Sequence, residues 1–413
     1  MRSVRSMKLS LPMALLMALA AVRPAAAAGA FDGWSMQGVS IAANQARLAP
    51  SSAQLGCSAD AVDGSPVGFD ADSGLCRGSD TSADGSYYNG GSFAFGTITS
   101  PVVSTPAAFD RLVGSWDAFT PVGTWIELHA RLLQAPGWSH WYALPVWASD
   151  TTTIKRHSID GQKDDRADVQ TDTLVPATGL PASAYQLEMT LFSASFPNAS
   201  PGVKMVNAST LTEATQTDHL AGGVELTVPR HSQMLPEYRA LGFGGGGEAW
   251  CSPTTTSMIM AYWASVLHLP QLDLPVPQVA AGTYDYTYRG AGNWPFNTGF
   301  AASFGLTAYV DRFASFDQVE AWIRTGVPIA ISIAFRPGEL PQAPIPSSPG
   351  HLLVVRGFMP NGDVIVNDPV AASDDQVRMV YDRAQLERAW QHGSGGTAYV
   401  IYPPGWQTPP QGA

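Results

Sequence analysis

Between residues 111 and 210 the chain runs in short β-favouring segments and offers no long stretch of helical periodicity. TWIELHARL alternates around Trp125, Glu127 and His129, WSHWYALPVW is aromatic, AYQLEMTLFSA alternates again, and VKMVNAS follows a Pro-Gly turn. Aromatic and β-branched residues suit a pleated, half-buried surface. Short strands separated by turn signals argue for a β-sandwich. A polar stretch runs from Ser149 to Asp172, and within it the carboxylates from Asp160 to Asp172 lack the ligand spacing of an EF-hand, so they read as a solvated loop rather than a calcium site. Residues 31–110 are rich in Gly, Ser, Ala and Asp with few periodic runs. The last strand runs out near residue 210, and TLTEATQTDHLAGG reads as a linker. Residues 31–215 are therefore expected to form a β-rich, sandwich-like domain.

The texture then changes. VELTVPR is a short strand, GFGGGGEA a glycine loop, and SPTTTSMIMAYWASVLHL a helix whose first turn suits Pro253, because the N–H that proline lacks has no intrahelical acceptor there. ASFDQVEAWIRTG reads as a second helix, with Ser315 as cap, an apolar stripe of Val319, Trp322 and Ile323, and Gly326 as stop. VPIAISIAF is a buried strand. HLLVVRGFM and DVIVNDP are two strands joined by Pro360-Asn361-Gly362, a hairpin signal. RAQLERAW is a third helix and TAYVIYP a final strand. Residues 224–404 are thus expected to be an α+β domain, and the whole chain α+β.

Residues 1–30 read as an export signal: Arg2, Arg5 and Lys8 precede the apolar run LSLPMALLMALAAV and the small residues PAAAAGA. The apolar run is shorter than the ~20 residues a spanning helix needs, and no later stretch is expected to cross a membrane. The expected location is secreted or periplasmic. Without Arg2, Arg5, Lys8 and Arg23, 19 basic residues face 34 acidic ones, which gives no electrostatic reason to bind nucleic acid or anionic lipid. Export also bears on the three cysteines. Cys57 and Cys76 lie close together in a loop-rich segment and are expected to form a disulfide. Cys251 is left over, and an odd cysteine in an exported chain is a candidate reactive thiol.

Cys251 follows the glycine run and stands at the mouth of the helix near Pro253. A helix N-terminus carries about half a positive charge, which favours thiolate over thiol. The glycines let a substrate backbone approach closely. A thiolate nucleophile needs a base, and the base an orienting group. His351 opens the first strand of the late hairpin and Asp368 closes the second, so antiparallel pairing brings both to its open end. Asn367 is the competing orienter. Successive strand side chains point to opposite faces, so only one of Asn367 and Asp368 faces the histidine, and Pro369 holds Asp368 extended. Gln233, in VPRHSQ, is a candidate side-chain donor to an oxyanion. Zinc chemistry at Cys251, His351 and Asp368 lacks a matched ligand spacing such as HExxH, and no cofactor or metal is expected. The aromatic run with Tyr284, Tyr286, Tyr288, Trp294 and Phe296 suits either a substrate groove or packing.

GEAWCSPTTTSMIMAYW, GHLLVVRGF and DVIVNDP together resemble the papain-like cysteine peptidases related to the bacteriocin-processing, double-glycine-leader branch, and more closely its exported stand-alone members. The resemblance covers roughly residues 224–402, and TWIELHA through YQLEMTLF resembles the β-rich region that precedes such domains. It implies Cys251 as nucleophile, His351 as general base, Asp368 as orienter and Gln233 in the oxyanion hole. Ser252 stands where many relatives have Gly, and Gln233 lies further from Cys251 than in the leader peptidases. No Gly-Lys-Ser/Thr phosphate loop accompanies the domain, so leader processing is not implied. The expectation is an exported cysteine peptidase acting on a peptide or protein, with a glycan or cell-wall ligand conceivable for the β-rich domain. A transpeptidase or amidase on the same fold, or an inert binding protein, are the alternatives.

Overall fold

The computed structural model describes residues 31–57, 65–80, 91–210 and 223–410. The expected export signal and most of the expected linker lie outside the described residues. The fold is α+β: a β-rich N-terminal domain precedes a domain of helices around an antiparallel sheet.

The N-terminal domain is built from two antiparallel sheets. In the first, Thr124–Gln134 pairs with Ala182–Ser193 from Leu133↔Ala184 to Thr124↔Ser193, and Gly91–Thr99 lies on the other side of Ala182–Ser193. The second runs Ala167–Gln170, Thr173–Pro176, Leu112–Phe119, Gly202–Thr210, Gln45–Leu48, Val39–Ala42. The sheets close on each other tightly. A side chain at Gly114 would meet Leu128 and Leu144 of the facing sheet at 2.5 and 2.7 Å. The alternation around Trp125 therefore does not separate core from solvent, for Thr124–Ala130 are buried on both faces. Ile126 and Leu128 face the inter-sheet core, while Trp125 joins Phe93, Phe95, Phe192 and Cys76 in a second cluster. Cys57 and Cys76 form a disulfide there, with Cα atoms 5.5 Å apart.

The sheet also begins earlier than the texture of residues 31–110 suggests. Gly91–Thr99 is an interior strand because it carries Gly96: a Cβ there would lie 2.5 Å from the Gly38 carbonyl oxygen. Glycine that reads as loop is what lets the Gln37–Gly38 backbone press against this strand.

The C-terminal sheet runs Thr307–Arg312, Thr397–Tyr402, Ile329–Phe335, Ser348–Phe358, Val364–Asn367, Arg378–Tyr381, with Val224–Glu225 also pairing Ser348–Phe358. Around it stand α1 (Cys251–Leu267), α2 (Val276–Thr283), α3 (Trp294–Ser303), α4 (Phe316–Arg324) and α5 (Arg383–Ser394). Helix α1 is buried from Ser252 to Ala264, the central helix of its domain. Ser315 occupies the N-cap position of α4 but makes no capping bond; the Phe316 N–H donates instead to Glu387 Oε1 of α5 at 3.0 Å.

Helices α2 and α3 escape the sequence reading. Helix α3 lacks an amphipathic stripe because it is buried from Pro295 to Ala302. Its start is legible in retrospect: Asn293 Oδ1 accepts the Phe296 N–H at 3.2 Å, and Pro295 sits in the first turn. One side of α3 packs on the N-terminal domain, with Phe296 centred 5.3 Å from Trp147 and 6.4 Å from Trp116. Gly299 permits this approach, since a Cβ there would lie 2.9 Å from Trp116 Nε1. Hydrogen bonds also join the domains. Asn207 donates to the Val310 carbonyl at 2.9 Å, and the Val310 N–H donates to Ser115 Oγ at 3.0 Å. No helix among the described residues is long and apolar enough to cross a membrane.

Candidate active site

Helix α1 begins at Cys251, so the thiol sits in the first turn, where backbone N–H groups have no intrahelical partners. The glycine loop delivers the chain to that point. Gly246 has φ +76°, and a side chain there would lie 2.7 Å from the Tyr238 carbonyl oxygen. Trp250, fully buried, anchors the loop by donating from Nε1 to the Phe243 carbonyl at 3.0 Å. Cys251 itself is half-buried and free of any disulfide.

The strand pair Ser348–Phe358 and Val364–Asn367 supplies the other groups. Asn367 is in register with Val354. Continuing that register sets Asp368 opposite Leu353, on the same face as His351. His351 Nε2 lies 2.7 Å from Asp368 Oδ1, and both side chains are buried. Asn367 turns the other way: its Oδ1 accepts from Arg356 at 3.0 Å and its Nδ2 donates to the Pro229 carbonyl at 2.8 Å. Asp368 is held from two further sides. Tyr381 Oη donates to Oδ2 at 2.7 Å, and the Val370 N–H donates to Oδ1 at 3.1 Å.

The electrostatics of the group are mutually supporting. Burial works against the Cys251 thiolate, but a hydrogen bond and the charge of His351, with the Leu352 and Ser252 N–H groups, hold its pKa below the ordinary thiol value. Burial likewise disfavours the imidazolium, yet Asp368 and Cys251 raise the His351 pKa above its usual range. Asp368 is kept below the usual carboxylate range despite burial by the His351 charge, then by its bonds to His351, Tyr381 and Val370. The three shifts point the same way: each group favours the charged form of its neighbour, thiolate beside imidazolium and imidazolium beside carboxylate.

Gln233 lies beside this row, buried. Its Nε2 donates to the Gly247 and Glu248 carbonyls at 2.9 and 3.0 Å, and its N–H donates to the Pro369 carbonyl at 2.8 Å. It therefore clasps the glycine loop to the end of the strand that carries Asp368. Ser252 packs inward, its Oγ 2.8 Å from Tyr399 Oη.

Cys251, His351 and Gln233 open on a cleft of about 680 Å³ lined by both domains. The N-terminal domain contributes Arg111 and Gln170–Thr173; the C-terminal domain adds Tyr288, Trp294 and Arg312. The aromatic run is thus divided. Tyr288 and Trp294 face the cleft, Phe296 packs between the domains, and Tyr284 and Tyr286 lie edge to face at 5.1 Å. The expected solvated loop ends differently from its reading, because Asp172 is buried at the domain junction and accepts the Trp294 N–H at 2.7 Å. Among the described residues no group of three or more His, Cys, Asp or Glu is placed to hold a metal ion. Sequence reasoning missed Tyr381 and the share of the N-terminal domain in the cleft. For Tyr381 the available sign was the strand RMVY, which follows DVIVNDP and pairs with it.

A free thiol at a helix start beside a histidine–carboxylate pair on a sheet is the arrangement of groups that cysteine-peptidase chemistry uses. Residues 27–210 match the model of the Peptidase C39 N-terminal domain, and residues 225–397 match that of the Peptidase_C39 like family. The chain is thus related to the C39 peptidase family, with a C39-type N-terminal domain ahead of the C39-like domain. The searches of curated proteins and of solved structures returned no match.

Proposed function

We propose that the protein is an exported cysteine peptidase that hydrolyses peptide bonds through Cys251, His351 and Asp368. The observation that carries the reading is the 2.7 Å bond of His351 to Asp368, with His351 and the Cys251 thiol side by side at one cleft and His351 favouring the Cys251 thiolate. In the proposed reaction the Cys251 thiolate attacks the substrate carbonyl carbon. His351 then gives its proton to the leaving amine as the C–N bond breaks, which leaves an acyl-enzyme. Water attacks the acyl-enzyme with His351 as base, releasing the carboxylic acid and restoring the thiol. Asp368 keeps the imidazole in one orientation and stabilises its cation. The helix start supplies N–H groups for the developing oxyanion. Gln233 joins them if one of its amide hydrogens exchanges a loop carbonyl for the oxyanion. Export is supported by the Cys57–Cys76 disulfide, which persists in oxidising compartments.

The test is mass analysis of a peptide library incubated with the protein and with Cys251→Ala, with and without an added amine. Cleavage by the first protein alone is expected, with water-derived products. Amine adducts as the main products would reassign the chemistry to acyl transfer, and no cleavage with an unreactive Cys251 would overturn the reading.

A further inference from the structure

The cleft has a second polar feature away from the nucleophile. Arg312 ends the strand Thr307–Arg312, and Arg111 lies in the turn between the strands Val103–Phe109 and Leu112–Phe119. The two belong to different domains and line the same cleft as Cys251. Their strands are joined where Val310 donates to Ser115 Oγ at 3.0 Å, so this pairing of arginines exists only because the domains are docked.

Arg312 is unusual. Its Nε, Nη1 and Nη2 are all buried and bonded to nothing among the described residues. Arg156, also buried at the domain junction, shows what a structural arginine looks like in this protein. Its Nε donates to the Ala148 carbonyl at 3.0 Å, Nη2 to Ser149 at 3.0 Å and Nη1 to Ala281 at 3.2 Å. A buried guanidinium without a protein acceptor is costly, so its donors are free to meet an acceptor brought into the cleft. Arg111 adds a second cation, and it makes no ion pair among the described residues. Asp110 and Asp172 lie near enough to act on the Arg312 charge, but neither is hydrogen-bonded or ion-paired to its guanidinium among the described residues, and the Asp172 oxygens accept from the Trp294 N–H at 2.7 Å and the Thr173 hydroxyl at 3.1 Å. The cleft lining carries Arg111, Arg289 and Arg312 against Asp172 and Glu248, a reversal of the acidic balance of the whole chain.

We propose that Arg111 and Arg312 form an anion subsite of the cleft that takes a carboxylate of the peptide substrate. The planar, five-donor guanidinium is matched to a carboxylate held at two points. The proposal rests on the peptidase reading for the nature of the ligand. The carboxylate comes either from an acidic side chain or from a free C-terminus.

Two measurements separate the subsite from the activity. Matched peptides, with Glu or Gln at each position in turn and with a C-terminal acid or amide, are titrated calorimetrically into Cys251→Ala and are also offered to the active protein. The expected result is tighter binding of one acid partner over its neutral counterpart, by about tenfold or more, with the same preference in kcat/KM. A Glu-over-Gln preference names the side chain; an acid-over-amide preference names the C-terminus. Arg312→Gln and, separately, Arg111→Gln in the Cys251→Ala protein should each collapse that ratio towards one, while Arg312→Lys retains part of it. Carboxylate-selective binding without cleavage would uphold the subsite and overturn the peptidase reading. Cleavage with no acid preference, or a preference that survives both Gln variants, would overturn the subsite alone. Absence of any acid-selective binding would also overturn it.

Discussion

Behind one wall of the cleft His351, Asp368 and Tyr381 form a hydrogen-bonded row in which each carboxylate oxygen has a donor; on the other, Arg312 has three buried nitrogens and no acceptor among the described residues. Both walls bury charge, and they do so in opposite ways. The first is complete before any ligand arrives, as a site must be if its dipoles are to act without reorganising during the reaction. The second is incomplete, and orphaned buried donors in a native protein require an explanation. The completed wall comes wholly from the C-terminal domain. The incomplete one straddles the junction, with Arg111 supplied by the N-terminal sheets. On the proposed reading the difference separates two tasks, chemistry on one side and choice of substrate on the other.

The comparison breaks most severely if the completed wall does not govern the thiol. His351→Ala is expected to lower peptide turnover by about a millionfold, the scale on which a triad histidine acts in acyl transfer. It should also return the Cys251 pKa towards the ordinary ~8.5. The sign follows from the pair. With His351 present, the thiolate forms below the usual thiol pKa, and the thiolate–imidazolium pair persists until the imidazolium, whose pKa is raised, loses its proton. Alkylation by iodoacetamide should therefore stay appreciable well below pH 8 in the native protein and fall away there in the variant. Superimposable pH–rate curves would show that the row does not activate Cys251.

Asp368→Ala is expected to lower turnover by about ten-thousandfold, the scale of a triad carboxylate, with the fold intact. Asn367→Ala should act mainly on stability, because Asn367 binds Arg356 and the Pro229 carbonyl on the far face of the strand. Turnover measured on both, with folding checked by circular dichroism, decides between them; the reverse order would move the orienting role to Asn367. This part of the site was legible in the sequence because it rests on local rules. Strand alternation, a hairpin turn and a helix start are read from a few neighbouring residues. Tyr381 was less so, since its reach to Asp368 depends on the next strand pairing as well. Arg111 and Asp172 were illegible as cleft residues. They arrive through the docking of α3 against Trp116 and Trp147, and nothing local marks that contact. The strand Gly91–Thr99 was hidden for a related reason, as the value of Gly96 lies in what another segment places against it.

The two domains should also respond differently to reduction. The Cys57–Cys76 bridge packs with Phe93, Phe95, Trp125 and Phe192, and neither of its cysteines lines the cleft. With 19 residues of sequence separation, its loss as Cys57→Ser/Cys76→Ser should destabilise the N-terminal sheets by about 3 kcal/mol in the chain-entropy model. Denaturant titration followed by the fluorescence of Trp125 and its neighbours reads this directly. At 25 °C, well within the folded range, kcat/KM should be unchanged. A parallel loss of turnover would show that the distant aromatic cluster shapes the cleft, and the division of tasks between the walls would have to include it.

The smallest effect concerns how complete the completed wall must be. Tyr381 touches neither the nucleophile nor the base; it acts through Asp368, whose Oδ2 accepts its hydroxyl at 2.7 Å. Tyr381→Phe removes that donor and little else, leaving a buried carboxylate oxygen without its partner. A hydrogen bond to a charged group is worth roughly 1.5–3 kcal/mol, and part of that is recovered through the remaining bonds to His351 and the Val370 N–H. Turnover should fall by about tenfold. A merely structural role would produce the same fall through misfolding, so the pH profile carries the test. Burial raises the Asp368 pKa, and Tyr381 is one of the groups holding it down. Without the hydroxyl the carboxylate takes up its proton at a higher pH, so the acid limb of kcat should move upward while the alkaline limb keeps its place. Phe in place of Tyr with an unmoved acid limb would show that His351 and Val370 suffice to keep Asp368 ionised, and that the row ends one residue earlier than the geometry draws it.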